Sequence, residues 1–282
     1  MPDAEPVPRL KPWLVAVITV AAFALVERTG LALFREVAGD WRGYPRLAAL
    51  AVLGYGAYLL VPLAVGAALF GPARAFGSLG LDRSVATALA VGLAGTLVLP
   101  VGYAATAPFA PAPDPLYEAL RGAVLPGIAE EILFRAFLFG FLFRFAGWGF
   151  LPAALVGAVI FGAGHLYQGE GLVDSAAVFA ITALGAIWFA WLFVEWGYNL
   201  WVPVAFHVLM NLYWTLFDIS DTALGTTSAN GLRVAVILIS IAITVRYARG
   251  RGGRRIKGRA WWRGKPGGSE GSDRQSTAPA SA

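Results

Sequence analysis

The sequence predicts an all-α fold, a polytopic membrane bundle of about eight transmembrane helices. Three observations carry this. Of 282 residues, 58% are hydrophobic and 14% charged, and the mean hydropathy is +0.66. An ordinary soluble domain carries about 25% charged residues, so too few charges are present to cover a soluble surface of this size. Apolar runs near the length of a bilayer crossing recur along the chain, and no alternating pattern offers strands instead.

Taken in order, the spans read as Trp13–Phe34, Leu47–Phe70, Val85–Tyr103, Leu125–Phe145, Phe150–Leu166, Leu172–Val194, Leu200–Phe217 and Leu232–Tyr247. Glu27 and Arg28 interrupt the first, which can end at Val26 and leave Leu31–Phe34 at the interface. The minor alternative for that segment is a cleaved signal peptide, with Arg9 and Lys11 ahead of the apolar run and Ala22-Phe23-Ala24 as the small-residue site. The connections are short and rich in Gly and Pro. The longest, Ala104–Asp114, holds Pro108, Pro111 and Pro113. No internal repeat of the transporter kind is evident. The chain divides into a polar N-terminal segment (1–12), a helical membrane domain (13–247) and a basic tail (248–282) expected to be disordered and cytoplasmic.

The tail accounts for the net charge of +5. Its Arg and Lys read first as a topology signal that holds them in the cytoplasm. Contact with anionic lipid headgroups, with Trp261 and Trp262 in the interface, is the companion reading. No nucleic-acid-binding motif accompanies the charge. With both termini inside, most basic residues fall on the inner side; Arg28, Arg35, Arg42 and Arg46 in the first connection run against the rule. The protein is thus expected in the inner or plasma membrane. The absence of cysteine excludes disulfides, thiolate metal sites and a cysteine nucleophile.

Away from the span ends, charges within apolar segments are confined to Glu130, Glu131 and Arg135. Each costs about 2.5–3.5 kcal/mol at a bilayer centre on insertion scales. Glu131 and Arg135 are four apart with the acid first, the favoured order for an ion pair. Glu130 is turned about 100° away, which leaves it outside that pair. A purely structural knot that fixes helix packing would look the same. The chain has two histidines, His165 and His207, and both lie in apolar spans. Phe161 shares a helix face with His165, and Asn211 shares one with His207. With alternating helix directions, Glu130 and His165 fall at one level near the outer side, with His207 slightly deeper.

The ordered set Glu130-Glu131-Ile-Leu-Phe-Arg135, Phe161-x-x-x-His165 and His207-x-x-x-Asn211 resembles the three motifs of the CPBP intramembrane protease family, which includes type II CAAX prenyl endopeptidases and the abortive-infection proteins. The match covers about Leu125 to Asn211. The motifs of other intramembrane proteases are missing: there is no His-Glu-x-x-His helix, and Gly77-Ser78-Leu79-Gly80 has the wrong spacing for a serine nucleophile.

The resemblance implies hydrolysis of a peptide bond in a membrane-associated protein or peptide, CAAX-like or lipid-modified. Glu130 would activate water, His165 would position or help deprotonate it, and His207 with Asn211 would stabilise the oxyanion. Glu131, Arg135 and Phe161 would support them. Glu130, His165 and His207 also form a His₂Glu set like that of catalytic zinc sites, so a divalent metal stays open as a cofactor. The alternative function is a transporter or an immunity or scaffold protein that uses the same polar cluster for binding or packing.

Overall fold

The computed structural model describes residues 8–220 and 222–264. Among these the chain is helical, and strand pairing is limited to two isolated bridges, Phe109 with Phe217 and Trp148 with Arg263. The long helices are named here α1 (Pro12–Ala38), α2 (Gly43–Phe70), α3 (Val85–Thr106), α4 (115–145), α5 (Phe150–Gly164), α6 (Leu172–Glu195), α7 (Trp201–Leu216) and α8 (Thr227–Arg249). All eight predicted spans are therefore helical. Six helical segments, built on α1, α2, α3, α5, α6 and α8, are long and apolar enough to cross a bilayer. The other two, α4 and α7, carry Glu130, Glu131, Arg135, His207 and Asn211, and they pack against each other. The protein is an integral, multi-pass membrane protein.

α1 does not stop at Val26. It continues to Ala38, because Glu27 finds a hydrogen-bond donor in the Tyr58 hydroxyl at 3.4 Å and Phe23 packs edge-on against Phe134. α4 is a composite. Wide π-helical turns over Leu120–Val124, Glu131–Phe139 and Phe141–Phe145 replace the ordinary ladder. Such turns rotate side chains out of the 3.6-residue register and recur at functional sites. Every residue from Glu131 to Phe145 is buried.

The bundle has two unlike ends. At one end, Phe70 meets Phe145, Phe150 meets Trp261, and the Arg144 guanidinium donates to the Ser78 carbonyl at 2.7 Å. The tail returns to this end. Glu195 is 3% exposed at the foot of α6, and its carboxylate accepts the backbone N–H groups of Arg255 (2.9 Å) and Ile256 (3.1 Å). Ile256 is buried and Trp261 packs on Phe150. Backbone amides of the tail thus satisfy a buried carboxylate; residues 265–282, the rest of the segment expected to be disordered, lie outside the described residues. Gly80, at φ +72, lets its backbone approach the Tyr198 carbonyl so closely that a Cβ there would collide with it.

At the far end, Ala110 donates its N–H to the Leu216 carbonyl (3.1 Å), and the Gln168 side chain accepts the N–H of Ala223 (2.9 Å). Helices approach closely where side chains are small: Gly92 faces Ala205, Gly95 faces Phe206 and Gly127 faces Val208. In lipid this contact supplies the packing energy that water would otherwise drive.

Candidate functional site

Three helices, α4, α5 and α7, bring the polar residues together. Glu131 is fully buried on α4, and its Oε1 lies 3.1 Å from Arg135 Nη1 and 2.8 Å from His207 Nδ1 on α7. A carboxylate oxygen accepts, so the ring Nδ1 is the donor to it. His207 Nε2 then points toward Glu130, with 4.0 Å to Oε2. His207 therefore lies between the two glutamates. The Glu130 side chain keeps 20% of its surface exposed, whereas that of Glu131 has none. Glu130 also lies within electrostatic reach of His165 and Arg135.

His165 caps α5. Its Nδ1 lies 2.7 Å from the Phe161 carbonyl, which can only accept, so Nδ1 bears the proton and Nε2 keeps its lone pair. The tautomer is set by local backbone geometry. Phe161 serves twice: its ring lies 4.5 Å from the Arg135 guanidinium and its carbonyl orients His165. Phe189 of α6 covers the other partners, 5.4 Å from Arg135 and 5.7 Å from the His207 ring. Cation–π contact of this kind is worth about 2 kcal/mol or more when desolvated, which helps hold a charged guanidinium in the bundle core.

Asn211 is placed differently from its partners. Its amide nitrogen donates to the Gly122 carbonyl at 3.2 Å, inside the first π-helical stretch of α4. That bond ties α7 to α4 above the histidine. An amide nitrogen carries two N–H groups, and this uses one.

The donors proposed for zinc do not assemble. Among the described residues no group of three or more His, Asp or Glu is placed to hold a metal ion. His207 and His165 each hold Nδ1 on a protein acceptor, as metal-binding histidines do. The residues as arranged do not fit a bound zinc.

Three neighbours of the site were not found from sequence. Phe189 and Gly122 gave no signal, since an aromatic and a glycine in apolar spans read as packing. Glu27 did give one, a carboxylate within an apolar helix, but it reads as the end of the first span. In the structure it accepts the hydroxyl of buried Tyr58, and its charge couples to Glu130.

Residues 112–213 match a family model, Rce1-like, described as type II CAAX prenyl endopeptidase Rce1-like. The stretch takes in Glu130, Glu131, Arg135, Phe161, His165, His207 and Asn211. The family implies a protease acting at a membrane. No curated protein and no solved structure matches the chain.

Proposed function

We propose that the protein is an intramembrane endopeptidase in which Glu130 activates the attacking water. The observation that carries this is the division of labour between adjacent glutamates across one histidine. Glu131 is sealed, ion-paired and bonded to His207; Glu130 is partly open and faces the other nitrogen of the same ring. Only one of the two is free to exchange a proton with a bound molecule.

The roles follow from donors and acceptors. Glu130 takes a proton from water as the hydroxide oxygen adds to the peptide carbonyl carbon. His165 accepts from that water through Nε2 and holds it in line. His207, with Nδ1–H fixed on Glu131, carries a second donor at Nε2 when protonated, and the paired carboxylate supports that charge. This donor and the remaining N–H of Asn211 meet the developing oxyanion. When the C–N bond breaks, the leaving nitrogen takes the proton back from Glu130. No step is assigned to a metal. The substrate is a membrane-associated protein or peptide, CAAX-like or lipid-modified as the family description suggests.

The test is Glu130→Gln. Turnover should fall by about 10²–10⁴-fold, the usual share of a general base, while expression and melting in detergent stay at wild-type values. Substrates are identified by comparing the N- and C-termini of membrane proteins in cells carrying wild-type or Glu130→Gln protein. Identical termini in the two cells, or retained turnover, would defeat the reading.

A further inference from the structure

We infer that Glu27 on α1, with Tyr58 beside it, forms a cation-recognising subsite next to Glu130, and that the substrates carry a Lys or Arg within about three residues of the scissile bond. The substrate half rests on the protease reading above; the placement of Glu27 does not.

Packing fixes where Glu27 sits. Arg9, just ahead of α1, donates its backbone N–H to the Leu69 carbonyl at 3.1 Å, and Phe70 meets Phe145 at 4.5 Å. The start of α1 and the end of α4 therefore share the tail end, and the two helices run antiparallel. Farther along, Phe23 of α1 meets Phe134 of α4 edge-on at 5.2 Å. Glu27 follows Phe23 by four residues, and Glu130 precedes Phe134 by four. In antiparallel helices these two steps run the same way in space, so both carboxylates stand about one turn beyond the same ring contact. Their charges are close enough to interact. Packed helices lie about 8–10 Å apart, a span that an extended peptide covers in about two or three residues. Glu27 and Glu130 are thus spaced to meet neighbouring positions of one bound chain.

The second observation is that Glu27 lacks a counterion. Among the described residues no cation lies within ion-pair distance of it, and its one hydrogen-bond donor is the Tyr58 hydroxyl, 3.4 Å from Oε2. Oε1 is left open, and the residue is exposed. The cations nearby are committed elsewhere. Arg135 is 2% exposed, 3.1 Å from Glu131, and lies against the rings of Phe161 and Phe189. His207 stands between Glu130 and Glu131, and His165 is held on the Phe161 carbonyl. Arg28 is turned about 100° from Glu27 on the helix. A carboxylate within an apolar span is costly unless it is paired, so the substrate is left to supply the charge. Tyr55 and Tyr58 meet edge-on at 5.3 Å and add aromatic surface that suits an ammonium or guanidinium. An acidic side chain would meet two carboxylates and be repelled. Glu27, Tyr55 and Tyr58 all precede residues 112–213, so the subsite lies outside the stretch that the family model matches.

The experiment compares membrane-protein termini among cells carrying wild-type, Glu130→Gln, Glu27→Gln or Glu27→Lys protein. Termini that depend on Glu130 should have Lys or Arg within about three residues of the cut. New termini in Glu27→Lys cells should have Asp or Glu there instead. On purified protein, a peptide copied from one such cut is compared with the same peptide carrying norleucine in place of its basic residue. Wild-type kcat/KM should favour the basic peptide by about 10–100-fold, and Glu27→Gln should bring that ratio to about one. Glu27→Asp should restore the preference. A residue that merely held α1 against α2 would change melting in detergent and leave the ratio in place. Glu130-dependent termini without a basic residue near the cut, or a ratio that Glu27→Gln leaves intact, overturn the inference while the protease reading stands. Identical termini in wild-type and Glu130→Gln cells defeat the protease reading and the substrate assignment with it. If Glu27→Lys does not accumulate, the ratio in Glu27→Gln decides.

Discussion

Within α4, the half below Arg135 and the half above it solve the same problem with different chemistry. Below, the helix meets its neighbours through rings: Phe139 meets Phe150 of α5 edge-on at 5.5 Å, and Phe141 meets Phe70 of α2 edge-on at 5.7 Å. Above, it meets them through one shared carboxylate oxygen and an amide-to-carbonyl bond, from Arg135 and His207 to Glu131 and from Asn211 to Gly122. Ring packing is spread over many weak contacts and tolerates small adjustments. A buried ion pair is all-or-none, since removing one partner strands the other. The polar half of the helix is therefore the half whose stability depends on a few specific atoms, and the ring-packed half gives it a rigid base.

That contrast can be broken most severely at Arg135. Arg135→Leu leaves Glu131 buried beside a lone histidine and should cost about 3–5 kcal/mol, together with activity. Thermal melting in detergent measures it; a wild-type melting temperature would show that the ion pair does not hold the helix. Phe137→Ala, in the other half, should cost about 3 kcal/mol by opening a cavity, yet leave turnover per folded molecule unchanged. Loss of turnover in the surviving folded fraction would mean that the two halves are coupled.

Asn211→Ala sharpens the comparison inside the polar half. If its spare N–H meets the oxyanion, kcat should drop about 100-fold with KM preserved. A change in melting alone would assign Asn211 to holding α4 against α7. The smallest effect is expected from chelation: dialysis of purified protein against a strong chelator should leave its turnover unchanged. Loss restored by added zinc, with matching metal content, would replace the donor arrangement described above.

The helical membrane fold was legible from its apolar runs, and the polar cluster from the heavy penalty lipid places on charge, which makes Glu130, Glu131, Arg135 and two histidines stand out in an apolar chain. Pairings within one helix were legible too, since Glu131 and Arg135 need only a turn between them. What lay beyond the sequence was the rotation of one helix about another. Spacing assigned Glu131 to Arg135 alone, whereas His207, 76 positions later, takes the same oxygen. The π-helical turns of α4 have no composition of their own and shift which side chains share a face. The docking of the tail was hidden for a similar reason. Its arginines read as a topology signal, but the groups that dock it are the backbone amides of Arg255 and Ile256, which every sequence possesses.

The bond between Glu195 and that returning segment also sets an order of assembly. The carboxylate leaves the ribosome 60 residues before Arg255 does, with α7 and α8 still to be made and inserted. Through that interval the foot of α6 has a carboxylate with no amide to receive, and it must stay wet. The base of the bundle can dry and close only when translation has passed Ile256. Closure of the tail end of the bundle therefore comes last, and a chain cut ahead of Arg255 would leave the Glu195 carboxylate without its two amide donors.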